Sequence, residues 1–369
     1  MKYFKEHKKF TYFYGTLILL SIISIIFTYN NYDFYDNTIA KITNIKDNYV
    51  TTELMDYGYK EDIHNQKITA IIKNGKHKDE IITIENEYYK GQTYSQRYNE
   101  NDEIFISLET HKNKIRNAHI EGYKRDKYIV ILITSFILII TLVGQLKGFL
   151  SLISLILNIV LFNTIVFINT KQISLPILSY IGAIIFSSLC LFLVSGKNKK
   201  TISAILSSIV GLTITMLITL VVINITNYSG LRFENMELLT RPYEGIFLSE
   251  IILGGLGAIM DISISISSSL YEILQKEPKT SSKQLIKSGF NIGRDIMSTM
   301  INVLFFTYIC SVIPNLTILY RNGINLASLI NSYITLEMTR ALIGAIGITI
   351  TIPISIYITI LMYRRGKKW

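Results

Sequence analysis

Residues 128–168 read YIVILITSFILIITLVGQLKGFLSLISLILNIVLFNTIVFI, with Lys147 as the one charged residue among them. A helix crosses a bilayer core of about 30 Å with about 20 mostly apolar residues. The stretch therefore holds two crossings, Tyr128–Val143 and Phe149–Ile168, on either side of Lys147. Isoleucine dominates it, which in water would favour strand. In lipid every peptide group must be paired within its own segment, so helix wins.

Six further apolar runs of spanning length lie on either side: Thr11–Thr28, Ile173–Val194, Thr201–Ile225, Ile246–Leu270, Ile296–Ile313 and Ala341–Met362. The sequence thus predicts a mainly α, polytopic helical membrane bundle with about eight spans. Pro176 falls in the first turn of the fourth, where a missing N–H costs little, and Pro353 should kink the last. The first run follows a basic start, MKYFKEHKKF, but is long for a signal peptide and has no small-x-small cleavage site after it. It reads as an uncleaved anchor.

Charge confirms the division. Only 17% of the 369 residues are charged, against about 25% in ordinary soluble domains. Residues 30–127 alone hold 15 basic and 17 acidic side chains, so this segment is the soluble part. With the N-terminus inside, the short inner segments carry 17 Lys and Arg and the short outer loops only Lys171, Arg232, Arg241, Arg321 and Arg340. The positive-inside rule then places both termini on the cytoplasmic side of a cell membrane. The net charge of +10 is a band facing anionic lipid, not a nucleic-acid footprint.

The expected organisation is a basic tail and anchor (1–29), an extracytoplasmic β-rich domain (30–127), four transmembrane helices (128–225), an outer loop (226–245) and three further helices (246–369). Within 30–127, period-2 alternation marks strands at Thr38–Ile45, Lys67–Ile72, Ile81–Glu85, Ile104–Leu108 and Ile115–Ile120. Turn signals separate them at Asn74-Gly75, Lys90-Gly91 and Asn99–Asp102. Five strands in so short a segment suggest a small OB-like barrel. Its tyrosines, near Tyr88, Tyr89 and Tyr94, lack the basic interleaving of a nucleic-acid groove. An envelope protein is the partner expected there, and the lipid bilayer the partner elsewhere.

Motifs for catalysis or cofactors are lacking. Cys190 and Cys310 fall within spans and read as buried small residues, the five histidines have no zinc-ligand spacing, and no GxSxG occurs. Gly254, Gly255 and Gly257 precede no GK[ST] and suit close helix packing. The expectation is a protein that is not an enzyme and holds no cofactor or metal.

Polarity returns in the sixth span. On a helix, Glu250, Gly254, Gly257, Asp261, Ser265, Ser268 and Glu272 fall within an arc of about 80°. Ser263, Ser267 and Ser269 broaden it towards the cytoplasmic end. Asp261 lies near mid-span, where a carboxylate costs at least about 2.5 kcal/mol, so it should face protein or water. In the seventh span Asn291, Asp295, Ser298 and Asn302 recur at helical spacing, with Arg294 placed either to snorkel or to pair with Glu272. The two polar faces are expected to pack together or line a shared cavity. Gly344 in the eighth span allows close approach, and Glu337 can pair with Arg340. Two explanations of the stripe compete: helix packing, with glycine and serine at an interface and Asp261 protonated and hydrogen-bonded to a neighbour, and a translocation path, with Asp261 at its centre and Glu250 and Glu272 at its mouths.

The run Gly254-Gly-Leu-Gly-Ala-Ile-Met-Asp-Ile-Ser-Ile-Ser-Ile-Ser-Ser-Ser-Leu-Tyr-Glu-Ile273 and the run Ser288-Gly-Phe-Asn-Ile-Gly-Arg-Asp-Ile-Met-Ser-Thr-Met-Ile-Asn302 resemble the central motifs of the bacterial YibE/F-like membrane proteins. The likeness extends to the layout of anchor, small β-rich domain and multi-span region. It implies this architecture and carries no substrate, reaction or functional residue. The activity expected from the residues is permease-like movement of a small solute or ion. The alternative is a non-transporting scaffold or sensor whose outer domain binds a partner.

Overall fold

A computed structural model of the chain describes residues 2–54, 60–91, 95–112, 114–169, 174–233 and 243–365. Tyr94, Lys171, Ile173, Arg241, Lys367 and Lys368 lie outside them, as do the side chains of residues 2–11, 169 and 365. The chain divides into two units, Met1–Val143 and Gly144–Trp369.

In the first unit all five alternating stretches lie in strands, each longer than its apolar positions suggested: β1 (Thr38–Leu54), β2 (Lys60–Ile72), β3 (Ile81–Tyr89), β4 (Glu103–His111) and β5 (Lys114–Tyr123). The sheet is antiparallel in the order β3-β2-β1-β4-β5, and its two edge strands, β3 and β5, come back into contact. Register sorts one face of the sheet into rows across β1, β2 and β3. Ile45, Ile68 and Ile84 stand side by side, then Asp47, Gln66 and Asn86, then Tyr49, His64 and Tyr88. A buried amide costs free energy unless it is hydrogen-bonded. Gln66 meets that demand, with Oε1 accepting from Tyr98 N and Asn86 Nδ2, both at 3.1 Å, and Nε2 donating to Tyr98 O at 3.0 Å.

The Asn74-Gly75 turn does more than reverse the chain. Gly75 supplies φ +79°, a region open to glycine. Asn74 accepts from Ile39 N (2.7 Å) and donates to the carbonyls of Tyr32, Tyr35 and Asn37, which ties down the link after helix α1 (Lys2–Thr28). Beside it Lys124 is fully buried. Its Nζ donates to Thr28 O at the end of α1 (3.3 Å), to Glu103 Oε2 (3.0 Å) and to Asp126 Oδ1 at the start of helix α2 (Asp126–Asn169; 3.0 Å). Tyr32 donates to Glu103 and Tyr35 to Asp126, and burial with the Glu103 bond raises the Tyr32 phenol far above its ordinary range. One ammonium thus joins sheet, anchor helix and α2.

The second unit is helical. Its elements are α2 beyond Gln145, α3 (Leu175–Ser195), α4 (Lys199–Thr226), α5 (Tyr243–Lys276), α6 (Ser282–Arg321), α7 (Leu326–Leu329), a π-helical turn (Ile330–Ile334) and α8 (Thr335–Arg365). Among the described residues six helical stretches are long and apolar enough to cross a membrane, and Tyr12–Thr28 is a shorter apolar helix. One of the six, α2, covers two expected spans and is interrupted at Gln145 (φ 50°, ψ −136°). Helix α3 starts with Pro176 in its first turn, as expected, whereas α8 continues through Pro353. Likewise α6 outruns its apolar stretch in both directions. A Ser281–Gln284 capping box starts it, and it passes through Pro314 to Arg321.

Helices α5 and α8 form the centre. Half of the most apolar window of α5 is buried, against 6% for α6, so α6 is peripheral. That placement corrects one expectation: Cys310, on α6, is exposed, and Cys190 is half-buried. The seam between α4 and α8 is built from small residues. Gly211 takes the hydroxyl of Thr351, and Gly347 takes that of Thr215. Thr215, Thr219 and Thr351 each donate to the carbonyl four residues back, so the helices supply their own acceptors. On the α5 side, Ser267 and Thr359 meet at 3.0 Å and Ser263 and Ser355 at 3.4 Å.

Candidate functional site

Helix α5 contacts α3, α4, α6 and α8. Met260, Leu253 and Ile264 join the cluster with α3 and α4, while Ala258, Ile262 and Ile266 join the cluster with α6 and α8. The arc between them remains open, and it carries Glu250, Gly254, Gly257, Asp261 and Glu272, all exposed, with Ser265 and Ser268 half-exposed. The stripe is thus a strip of acidic, hydroxylic and small residues on the surface of the bundle. Ser263 and Ser267 do not broaden it, as expected from sequence; both are fully buried in the α5–α8 seam.

Asp261, the nineteenth residue of α5, has no hydrogen-bond or ion-pair partner among the described residues. Hydrocarbon would not tolerate it there. Its surroundings must be water or another polar group. Gly254 lies beneath the Tyr308 hydroxyl of α6, where a Cβ would stand 1.9 Å away, and is a packing residue; Gly344 meets Leu304 in the same way. Gly257 faces open space.

The terminal acids differ from one another. Glu272 is exposed and pairs with Lys276 at 2.8 Å rather than with Arg294, because the i,i+4 partner lies on its own helix. Glu250 accepts from Nη2 of Arg340, whose Nη1 donates to Glu337. The Glu337–Arg340 pair is the expected one. Arg340 also stands over the Phe247 ring, 5.4 Å from its centroid, and is buried.

On α6, Asn291, Asp295, Ser298 and Asn302 are all exposed. Gly289, Gly293 and Leu304 of the same helix meet α8. At about 100° per residue the polar residues lie on the opposite face. The α6 stripe therefore points away from α8, and the expected packing of the two polar faces on each other is not found among the described residues. Two features escaped the sequence reading. One is the Glu250–Arg340 bridge between residues 90 apart, which no local pattern signals. The other is the ladder Ser203, Ser207, Gly211, Thr215 and Thr219, whose spacing of four was a legible sign of a packed face.

A set of long apolar helices following a small antiparallel sheet defines a multi-pass membrane protein. More particularly, the chain belongs to the YibE/F-like family. A model described as YibE/F-like protein matches residues 132–365, and one described as the YibE/F family N-terminal domain matches residues 33–123. No curated protein and no solved structure matches the chain.

Proposed function

We propose that this YibE/F-like protein is a permease that moves a small solute or ion across the cytoplasmic membrane. It would do so with eight crossings, both termini inside, and an outer domain built as an OB-like barrel. Asp261 is its central acidic site, Glu250 and Glu272 lie towards the two ends of the path, and Ser265, Ser268, Asp295 and Asn302 add polar positions. The supporting observation is Asp261 itself, an acid without a partner among the described residues, midway along a helix whose other faces are apolar and packed. A protonatable or cation-binding carboxylate at such a depth suits coupled transport. The OB-like reading rests on the strand order and on the return of β3 to β5.

The test is flux in proteoliposomes loaded with a pH-sensitive dye under an imposed sodium or potassium gradient. The wild-type protein is expected to change the internal pH, and Asp261→Asn to abolish the change at equal insertion. Equal flux in the two proteins overturns the reading. A second reading, a scaffold or sensor that binds an envelope protein, draws on Lys124, which fixes the sheet to α1 and α2. On that reading, deletion of residues 35–120 abolishes function and Asp261→Asn only lowers stability.

A further inference from the structure

The ion cluster at the start of α8 has chemistry that the transport reading leaves unused. Two carboxylates, Glu250 and Glu337, share the guanidinium of Arg340. Nε of that guanidinium is buried and has no acceptor among the described residues. The side chain of Glu337 is 13% exposed and that of Glu250 is 43% exposed, so only Glu250 is open to exchange with the surroundings.

Among the described residues the groups facing Glu250 are few. From α8 come Arg340 and Glu337, and from α6 comes Tyr308, whose hydroxyl covers Gly254 one turn further along α5. Helix α3 carries no charged residue, and α4 carries only Lys199 and Lys200 at its opposite end. Phe247 walls the guanidinium. Among the described residues the cluster therefore holds one negative charge more than Arg340 neutralises, with Arg340 buried, Glu337 nearly so and Glu250 half-exposed. An uncompensated charge in such a place is costly, and two like charges at one site favour uptake of a proton.

We propose that Glu250, Arg340 and Glu337 form a proton-binding site, in which Glu250 takes up one proton and thereby loosens its hold on Arg340. The two ion pairs are not equivalent. Glu337–Arg340 lies within α8, whereas Glu250–Arg340 ties α5 to α8. Protonation thus acts on the link between helices and leaves the local pair in place. The π-helical turn Ile330–Ile334 directly precedes this end of α8 and supplies a segment able to readjust. Proton binding here stands independently of whether the bundle carries a solute.

The experiment is infrared difference spectroscopy of the full-length protein in lipid nanodiscs, from about pH 4 to about pH 8, read at the carbonyl stretch of protonated carboxyl groups. Besides any band that Asp261→Asn removes, the wild type is expected to show one carboxyl that stays protonated after the exposed carboxylates have ionised. Glu250→Gln removes the band of this carboxyl. Glu337→Gln removes it too, because Glu250 then pairs one-to-one with Arg340 and remains ionised. Glu250→Asp keeps the acid and shifts the band, and reports on the same group if the neutral variant inserts poorly. The proposal is overturned if the wild type lacks such a carboxyl, if Glu250→Gln retains it, or if Glu337→Gln leaves it unchanged.

Discussion

Lys124 and Arg340 are both buried, and each holds two carboxylates. Neither role was legible beforehand, because Lys124 counted only towards a charge total and Arg340 only towards the outer-loop charge and an i,i+3 pair. Their other partners, Glu103 for Lys124 and Glu250 for Arg340, lie 21 and 90 residues away. Sequence periodicity carries no trace of such pairs, whereas Asp261 stood out at once as a single acid among apolar neighbours. Lys124 makes a direct prediction. Lys124→Met preserves the buried stem and deletes the charge, leaving Glu103 and Asp126 facing each other unneutralised. Breaking a buried pair by removing one partner costs about 3–5 kcal/mol. The variant should lose the cooperative attachment of sheet to helices, seen as a lower unfolding temperature and faster proteolysis between residues 28 and 38. Unchanged unfolding and proteolysis would mean that the clasp contributes nothing.

At the scale of elements, the strands were legible because apolar and polar residues alternate along parts of them, and the helices because their apolar runs are long. What the helices do to one another was less so. An apolar run gives length, but in lipid both the packed and the lipid-facing sides are apolar, so hydrophobicity does not say which side is packed. Small residues do. Serine and glycine on α5 drew attention to an exposed polar strip, while the ladder on α4 marks a tightly packed seam. Gly211 shows how close: a Cβ there would stand 2.3 Å from Thr351 Oγ1. Overpacking of a filled interior costs about 1–3 kcal/mol. Gly211→Ala should therefore lower the unfolding temperature in detergent, and Thr351→Ala should recover most of the loss in the double variant by opening the space. Additive effects of the two changes would show that the helices do not meet as tightly there.

At the scale of the whole molecule the question is how many times the chain crosses. Helix α2 has 44 residues, about 65 Å at 1.5 Å per residue, roughly twice the hydrocarbon core. A single crossing would leave half of it outside lipid, although Lys147 is the one charge between residues 128 and 168. The break at Gln145 divides it into two lengths that each suit a bilayer. Charge argues the same way. If α2 crosses twice, the basic N-terminus shares a side with Lys197, Lys199, Lys200 and the cluster from Lys276 to Arg294. If it crosses once, the N-terminus faces away from them, against the positive-inside rule. The parity can be read directly. In a chain with Cys190 and Cys310 replaced by alanine, Lys78→Cys in the β2–β3 turn and Lys279→Cys between α5 and α6 place single thiols at exposed positions. Two crossings by α2 put five spans between these sites and so opposite sides of the membrane; one crossing puts four, and the same side. An impermeant maleimide is expected to label Lys78→Cys in intact cells and Lys279→Cys only after permeabilisation. Labelling of both in intact cells would restore α2 to a single crossing and reduce the bundle to seven.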